Sequence, residues 1–85
     1  MRLRENGVTW QEIDGELVIL DLVSSTYLTT NGSGAFVAQL LQTDRAAADL
    51  AAALVTEYGV DPAVAARDTE AFLAELRRRE LLVEA

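Results

Sequence analysis

The chain has no cysteine, no histidine and no lysine, and only one proline and one tryptophan. Without cysteine there are no disulfides, no thiolate metal sites and no thiol nucleophile, which suits a reducing cytoplasm. Without histidine the commonest metal ligand and the commonest general base are both missing. Cations are scarce too: seven arginines stand against fourteen Asp and Glu, a net charge of −7. Binding to nucleic acid or an anionic membrane draws on a basic surface that releases counterions, and Arg77, Arg78 and Arg79 form the one basic cluster. That cluster reads first as cations at the negative end of a helix dipole. Met1 to Gly7 lacks the apolar core of a signal peptide, and no apolar run approaches the roughly 20 residues of a membrane span. The expectation is a cytoplasmic protein with no cofactor, no metal and neither nucleic acid nor membrane as partner.

What the 85 residues do contain suits one small domain, residues 1–85, with a thin core. After a short polar start, Val8 to Ile13 alternates as a strand should, and Asp14-Gly15 supplies the positive φ of a tight hairpin turn. Leu17 to Leu22, LVILDL, is apolar on both pleat faces until Asp21. Taking Asp21 as the mark of the outer face, Val18, Leu20 and Leu22 are expected to face the helices and Leu17 and Ile19 to face outward. Val23-Ser24-Ser25 then turns the chain into a third strand, Thr26 to Thr30, β-branched and aromatic.

Everything after this strand is helical. Asn31 or Ser33 suits the N-cap of a first helix, with Phe36, Val37, Leu40 and Leu41 on one face. The glycines of N-G-S-G fit a tight junction; with no Lys and no GxxxxGK spacing they are no phosphate loop. Thr43 or Asp44 is expected to cap a second helix, with Leu50, Leu54, Val55 and Tyr58 in one stripe and Gly59 closing it. Asp61-Pro62 opens a third, from Pro62 to about Arg79, with Ala65, Thr69, Phe72, Leu73 and Leu76 inward. Leu81, Leu82 and Val83 form an apolar tail expected to fold back on the core. Strands first and helices after give an α+β class, a three-stranded antiparallel sheet followed by three helices, winged-helix-like in mirror order.

The reactive groups are carboxylates, and the pattern argues against an enzyme. Asp68 and Glu75, with Arg67 and Arg78, read as a charged helix stripe with ion pairs of a few tenths of a kcal/mol each; nothing predicts the closed site that acid–base chemistry needs. Trp10 and Tyr58 read as core residues, and Tyr27 stands in the strand. The third strand is more informative, because no later segment is able to pair with it. Its free edge is either a docking site for an added peptide strand or an edge kept short and polar against aggregation by Thr26, Thr29 and Thr30. The residues alone leave both readings open.

The ordered set LVILDL, TYLTTN leading into GAFVAQLL, a second helix ending in EYGVD, and DTEAFLAEL followed by LLV resembles the PqqD-like family, the RiPP precursor peptide recognition elements. It most resembles their stand-alone leader-binding members in lasso-peptide pathways. The resemblance spans nearly the whole chain and implies the same fold and a non-catalytic domain. It implies binding of the leader segment of a ribosomally made precursor peptide, typically carrying Tyr-x-x-Pro, and presentation of it to a leader peptidase and an ATP-dependent macrolactam cyclase. By the same resemblance the leader pairs with Ser25, Thr26, Tyr27, Leu28, Thr29 and Thr30, with Leu28 and Thr30 bordering a groove. Val64, Arg67, Asp68, Ala71, Phe72 and Glu75 of the third helix form its other wall. Two departures stand out: Thr30-Asn31 where relatives often have Leu-Asn, implying a shallower or more polar wall, and Leu28 where relatives carry a second aromatic. A PqqD-type chaperone for a radical-based maturase is the alternative within the fold, and a winged-helix nucleic-acid binder the alternative outside it.

Overall fold

A computed structural model describes residues 1–84. In chain order it contains β1 (Arg2–Leu3), β2 (Val8–Ile13), β3 (Glu16–Asp21), β4 (Thr26–Asn31), α1 (Gly32–Leu40), α2 (Ala47–Tyr58), α3 (Pro62–Arg78) and β5 (Leu82–Val83). The antiparallel sheet has the order β2-β3-β4, and the three helices follow it, as the α+β reading expects.

Asp14 and Gly15 take φ of 51° and 82°, the mirror-image turn geometry that matches strand twist. This two-residue turn pairs Ile13 with Glu16 and so sets the register of the sheet. Leu17, Ile19 and Asp21 then share a face with Val8 and Trp10, and that face meets the helices. Leu17 and Ile19 are fully buried, whereas Val18 and Leu20 are half-buried and Leu22 is exposed. The expected facing of this strand is therefore reversed. The charge of Asp21 does not mark an outer face, because the fold supplies a partner for it; a one-residue change of parity moves every side chain to the other face.

The partner is Arg4, whose Nη2 lies 2.7 Å from Asp21 Oδ1. The same oxygen accepts from the amides of Val23, 3.0 Å, and Ser24, 3.4 Å, and so shapes the turn that aims β4. Arg4 also donates through Nη1 to the Glu80 carbonyl, 2.8 Å, and its amide donates to the Leu81 carbonyl, 2.8 Å. The polar start and the apolar tail are thus one ribbon, with Arg2 opposite Val83 and Leu3 opposite Leu82. Leu3 and Leu81 are buried, so the tail does fold back on the core, as part of a second small sheet that periodicity over two residues cannot reveal.

In α1, Ala35, Val37 and Ala38 are buried, with Leu41 just beyond, while Phe36 and Leu40 are half-buried. Phe36 turns toward Tyr58 in an edge-to-face pair 5.6 Å apart, which leaves Tyr58 48% exposed rather than in the core. Asn31 is the N-cap residue of α1 by position, though its side chain makes no capping bond. Neither Thr43 nor Asp44 caps α2, which begins at Ala47; the preceding turn is held by the Arg45 amide on the Met1 carbonyl, 2.8 Å. Asp49 instead accepts the Ala46 amide at 3.4 Å. Gly59 closes α2 at φ 66°, and Asp61 accepts the Ala63 amide at 2.8 Å ahead of Pro62. In α3, Ala65, Thr69, Leu73 and Leu76 are buried, and Phe72 is half-buried.

The Asp21 carboxyl sits below the ordinary carboxylate range. Burial pushes it up, but the Ser24 side chain, the Val23 and Ser24 amides and Arg4 together outweigh burial. A group lowered on folding contributes stability above its unfolded pKa, about 4, and that contribution is lost as pH falls through the folded value. Urea unfolding between pH 7 and pH 2.5 should therefore show wild-type stability falling below about pH 4. Asp21→Asn should be less stable at pH 7 and show a flatter acid limb; an unchanged pH profile would remove Asp21 from this role.

Candidate functional site

Parity in the sheet decides which backbone groups of β4 are free. Residues flanking a two-residue hairpin form a hydrogen-bonded pair, and the direction of N–H and C=O alternates along each strand. From the Ile13–Glu16 pair, Glu16, Val18 and Leu20 point theirs at β2, and Leu17, Ile19 and Asp21 point theirs at β4. Thr26, Leu28 and Thr30 answer β3, which turns the N–H and C=O of Tyr27 and Thr29 out of the sheet. The Tyr27 carbonyl accepts Arg79 Nη1 at 3.4 Å, a bond open only to an outward carbonyl.

The sheet has two edges, and β4 is the one that borders a groove. Leu28, Thr29, Thr30, Asn31 and Gly34 line one side of a pocket of about 270 Å³, and Phe72 and Glu75 line the other. It adjoins a larger pocket of about 360 Å³ between the start of α1 and α3, whose apolar walls include Val37, Leu54, Ala71 and Phe72. Gly34, Phe72 and Glu75 belong to both. A third pocket, about 290 Å³, continues the line past Ser33, Leu54 and Asp68 to Tyr58, Val60 and Ala65.

Of the residues singled out in the sequence, Leu28, Thr29, Thr30, Asp68, Ala71, Phe72 and Glu75 come together along this groove. On α3 their spacing of three and four residues places them in one row. Ser25 lies in the turn at φ 59°, Thr26 shares a hydrogen bond with Ser24 at 2.7 Å, and the Tyr27 side chain is 66% exposed. Val64 and Arg67 are not among the groove-lining residues, and Arg67 pairs with Asp68 at 3.7 Å. The sequence did not single out Ser33, Gly34, Val37 or Leu54 for the groove. N-G-S-G was the available signal for the first two, since small residues at a strand-to-helix junction permit close approach.

The rim carries charge, but compensated charge. Glu75 meets Arg78, and it meets Arg79 at 2.6 Å. Arg77 is occupied elsewhere, 2.8 Å from Glu84, where that contact holds the Glu84 carboxyl below its ordinary range. Among the described residues no group of three or more His, Cys, Asp or Glu is placed to hold a metal, and no helix is long and apolar enough to cross a membrane. The groove offers an apolar floor, a strand edge and a buffered rim. Such a surface can hold an extended chain.

This arrangement defines a small α+β, winged-helix-like domain with a groove between its edge strand and its third helix. The chain belongs to the PqqD family of RiPP precursor-peptide recognition elements: the sequence model described as Coenzyme PQQ synthesis protein D (PqqD) matches residues 16–82. Two solved structures are similar over essentially the whole chain. One, TbiB1 in complex with the TbiA(β) leader peptide, has a TM-score of 0.89 and 30% identity, covering 100% of this chain and 98% of that one. The other, lasso peptide synthetase B1 complexed with the leader peptide, has a TM-score of 0.83 and 30% identity, covering 98% and 96%. No curated protein matches the chain significantly.

The parity argument is testable without any ligand. In amide hydrogen exchange followed by NMR, Leu28 and Thr30 should be protected while Thr29 exchanges at least tenfold faster, its N–H having no strand partner. A protected Thr29 and an unprotected Leu28 would reverse the parity and move the free groups of the edge to Leu28 and Thr30.

Proposed function

We propose that residues 1–85 act as one cytoplasmic, non-catalytic domain that binds the leader segment of a ribosomally synthesised precursor peptide. The leader adds as a strand to β4 through the outward groups of Tyr27 and Thr29. Its alternate side chains enter the groove between β4, the start of α1 and α3, while Ser25 and Thr26 border the end of its path through their side chains. Backbone pairing supplies affinity and the pockets supply selection. Val64 and Arg67 flank the far end of the α3 wall, where a longer leader would run.

The observation that carries this reading is the coincidence of a free strand edge with an apolar groove alongside it. The two leader-bound structures, alike over the whole chain, support it and favour a lasso-peptide pathway. In that pathway the domain presents the leader to a leader peptidase and a macrolactam cyclase. The description of the matching family as a PQQ synthesis protein supports a second reading, a peptide chaperone for a radical-based maturase. A nucleic-acid role is disfavoured by the charge of −7 and by Asp68 and Glu75 on the groove rim.

Fluorescence polarisation with a labelled synthetic leader from the chain's own pathway tests the proposal. Thr29→Pro deletes an outward N–H and leaves the β3 ladder intact, so it should weaken binding about tenfold or more with little change in circular dichroism. The matching change on the opposite edge, Glu12→Pro, should leave affinity unaltered. No binding by the wild-type chain at high micromolar peptide would sink the proposal, and wild-type affinity in Thr29→Pro would remove β4 from the interface.

A further inference from the structure

The chain has five glycines, and four of them, Gly7, Gly15, Gly32 and Gly59, sit at positive φ, where other residues are strained. Gly34 does not. It lies in the first turn of α1 with no positive φ, in a backbone conformation open to any residue. Glycine weakens a helix relative to alanine, so a local backbone requirement does not account for it here.

Space does not exclude a side chain either. A Cβ at Gly34 would lie 3.5 Å from Phe72 Cε1 and 3.7 Å from Thr30 Cβ, both ordinary contact distances. Those two neighbours are the opposite walls of the groove, Phe72 from α3 and Thr30 from β4. The added methyl would therefore stand between the walls, at the place where the β4 pocket opens into the larger pocket lined by Val37 and Leu54. It would disturb nothing in the core and narrow the passage.

We propose that Gly34 is a specificity-determining residue, whose missing side chain lets one apolar side chain of the bound peptide reach from the β4 edge to Val37 and Leu54. The inference rests on the leader-binding reading and adds to it the residue that sets how deep the groove is. Glycine at this position trades helix stability for room.

Gly34→Ala separates the two effects, because they have opposite signs. Its Tm should rise by roughly 2–8 °C, as for a glycine replaced where the backbone already suits alanine. Its Kd for the labelled synthetic leader should rise about tenfold or more, the effect of overfilling a packed site by one methyl group. Replacing the apolar residues of that peptide by alanine one at a time should concentrate the Gly34→Ala penalty on a single peptide position, where the two changes are non-additive. A lowered Tm would show that the fold itself requires glycine and would overturn the proposal. So would an unchanged Kd, or a penalty spread evenly over the peptide. If the wild-type chain fails to bind, the leader-binding reading falls and this one with it, whereas wild-type binding with an indifferent Gly34→Ala overturns this one alone.

Discussion

The Arg4–Asp21 contact is the constraint on which the site depends. A carboxylate 6% exposed at the end of β3 needs compensation. It finds a guanidinium from the amino-terminal ribbon and two amides of the following turn. Those amides fix how the chain leaves β3, and therefore the height and direction at which β4 begins. The same guanidinium reaches the Glu80 carbonyl beyond α3. One ion pair thus ties the root of β4 to the end of the helix that faces it, so the two walls of the groove share an anchor.

The groove itself follows from alternation. β4 turns Leu28 and Thr30 toward the helices and Tyr27 and Thr29 away, while the backbone of the latter pair points along the free edge. An added strand could be received there because no element of the described residues pairs with that edge. Arg79 covers part of it through the Tyr27 carbonyl and is itself held by Glu75, so the edge is screened by a long side chain rather than by backbone. That distinction matters energetically. A long exposed side chain gives up a weak bond of 3.4 Å easily, whereas a paired strand would not.

Much of this was legible from residues whose physics is local. Asp14-Gly15 declared its turn, Asp61-Pro62 its helix start and Gly59 its helix end, since each depends on a few neighbouring dihedrals. The facing of β3 was not legible, because LVILDL is apolar on both faces and its one polar residue is neutralised by Arg4, remote in sequence. β1 and β5 escaped for a related reason: two residues carry no periodicity, and their pairing joins the two ends of the described chain. In the site, the α3 row from Asp68 to Glu75 was implied by the family resemblance, helical spacing alone giving a charged stripe, while Val37 and Leu54 looked like ordinary core. They line the groove beside Gly34 and Ser33, a placement that apolar spacing alone does not distinguish from the core.

Thr30 shows how a polar side chain in a groove wall acts in physical terms. Read from the sequence, a threonine at this position implies a more polar wall than a leucine. Here, however, its hydroxyl donates to the Leu17 carbonyl at 3.1 Å, and the residue is 7% exposed. The polarity is consumed inside the sheet, so what changes relative to leucine is volume. Across from it stands Gly34, with no side chain at all, and together they leave the groove open where its two pockets join. The rim acids Asp68 and Glu75 are paired with Arg67, Arg78 and Arg79, and paired surface charges contribute little net attraction. On the leader-binding proposal, the room at this junction then weighs more in selection than the charges of the rim.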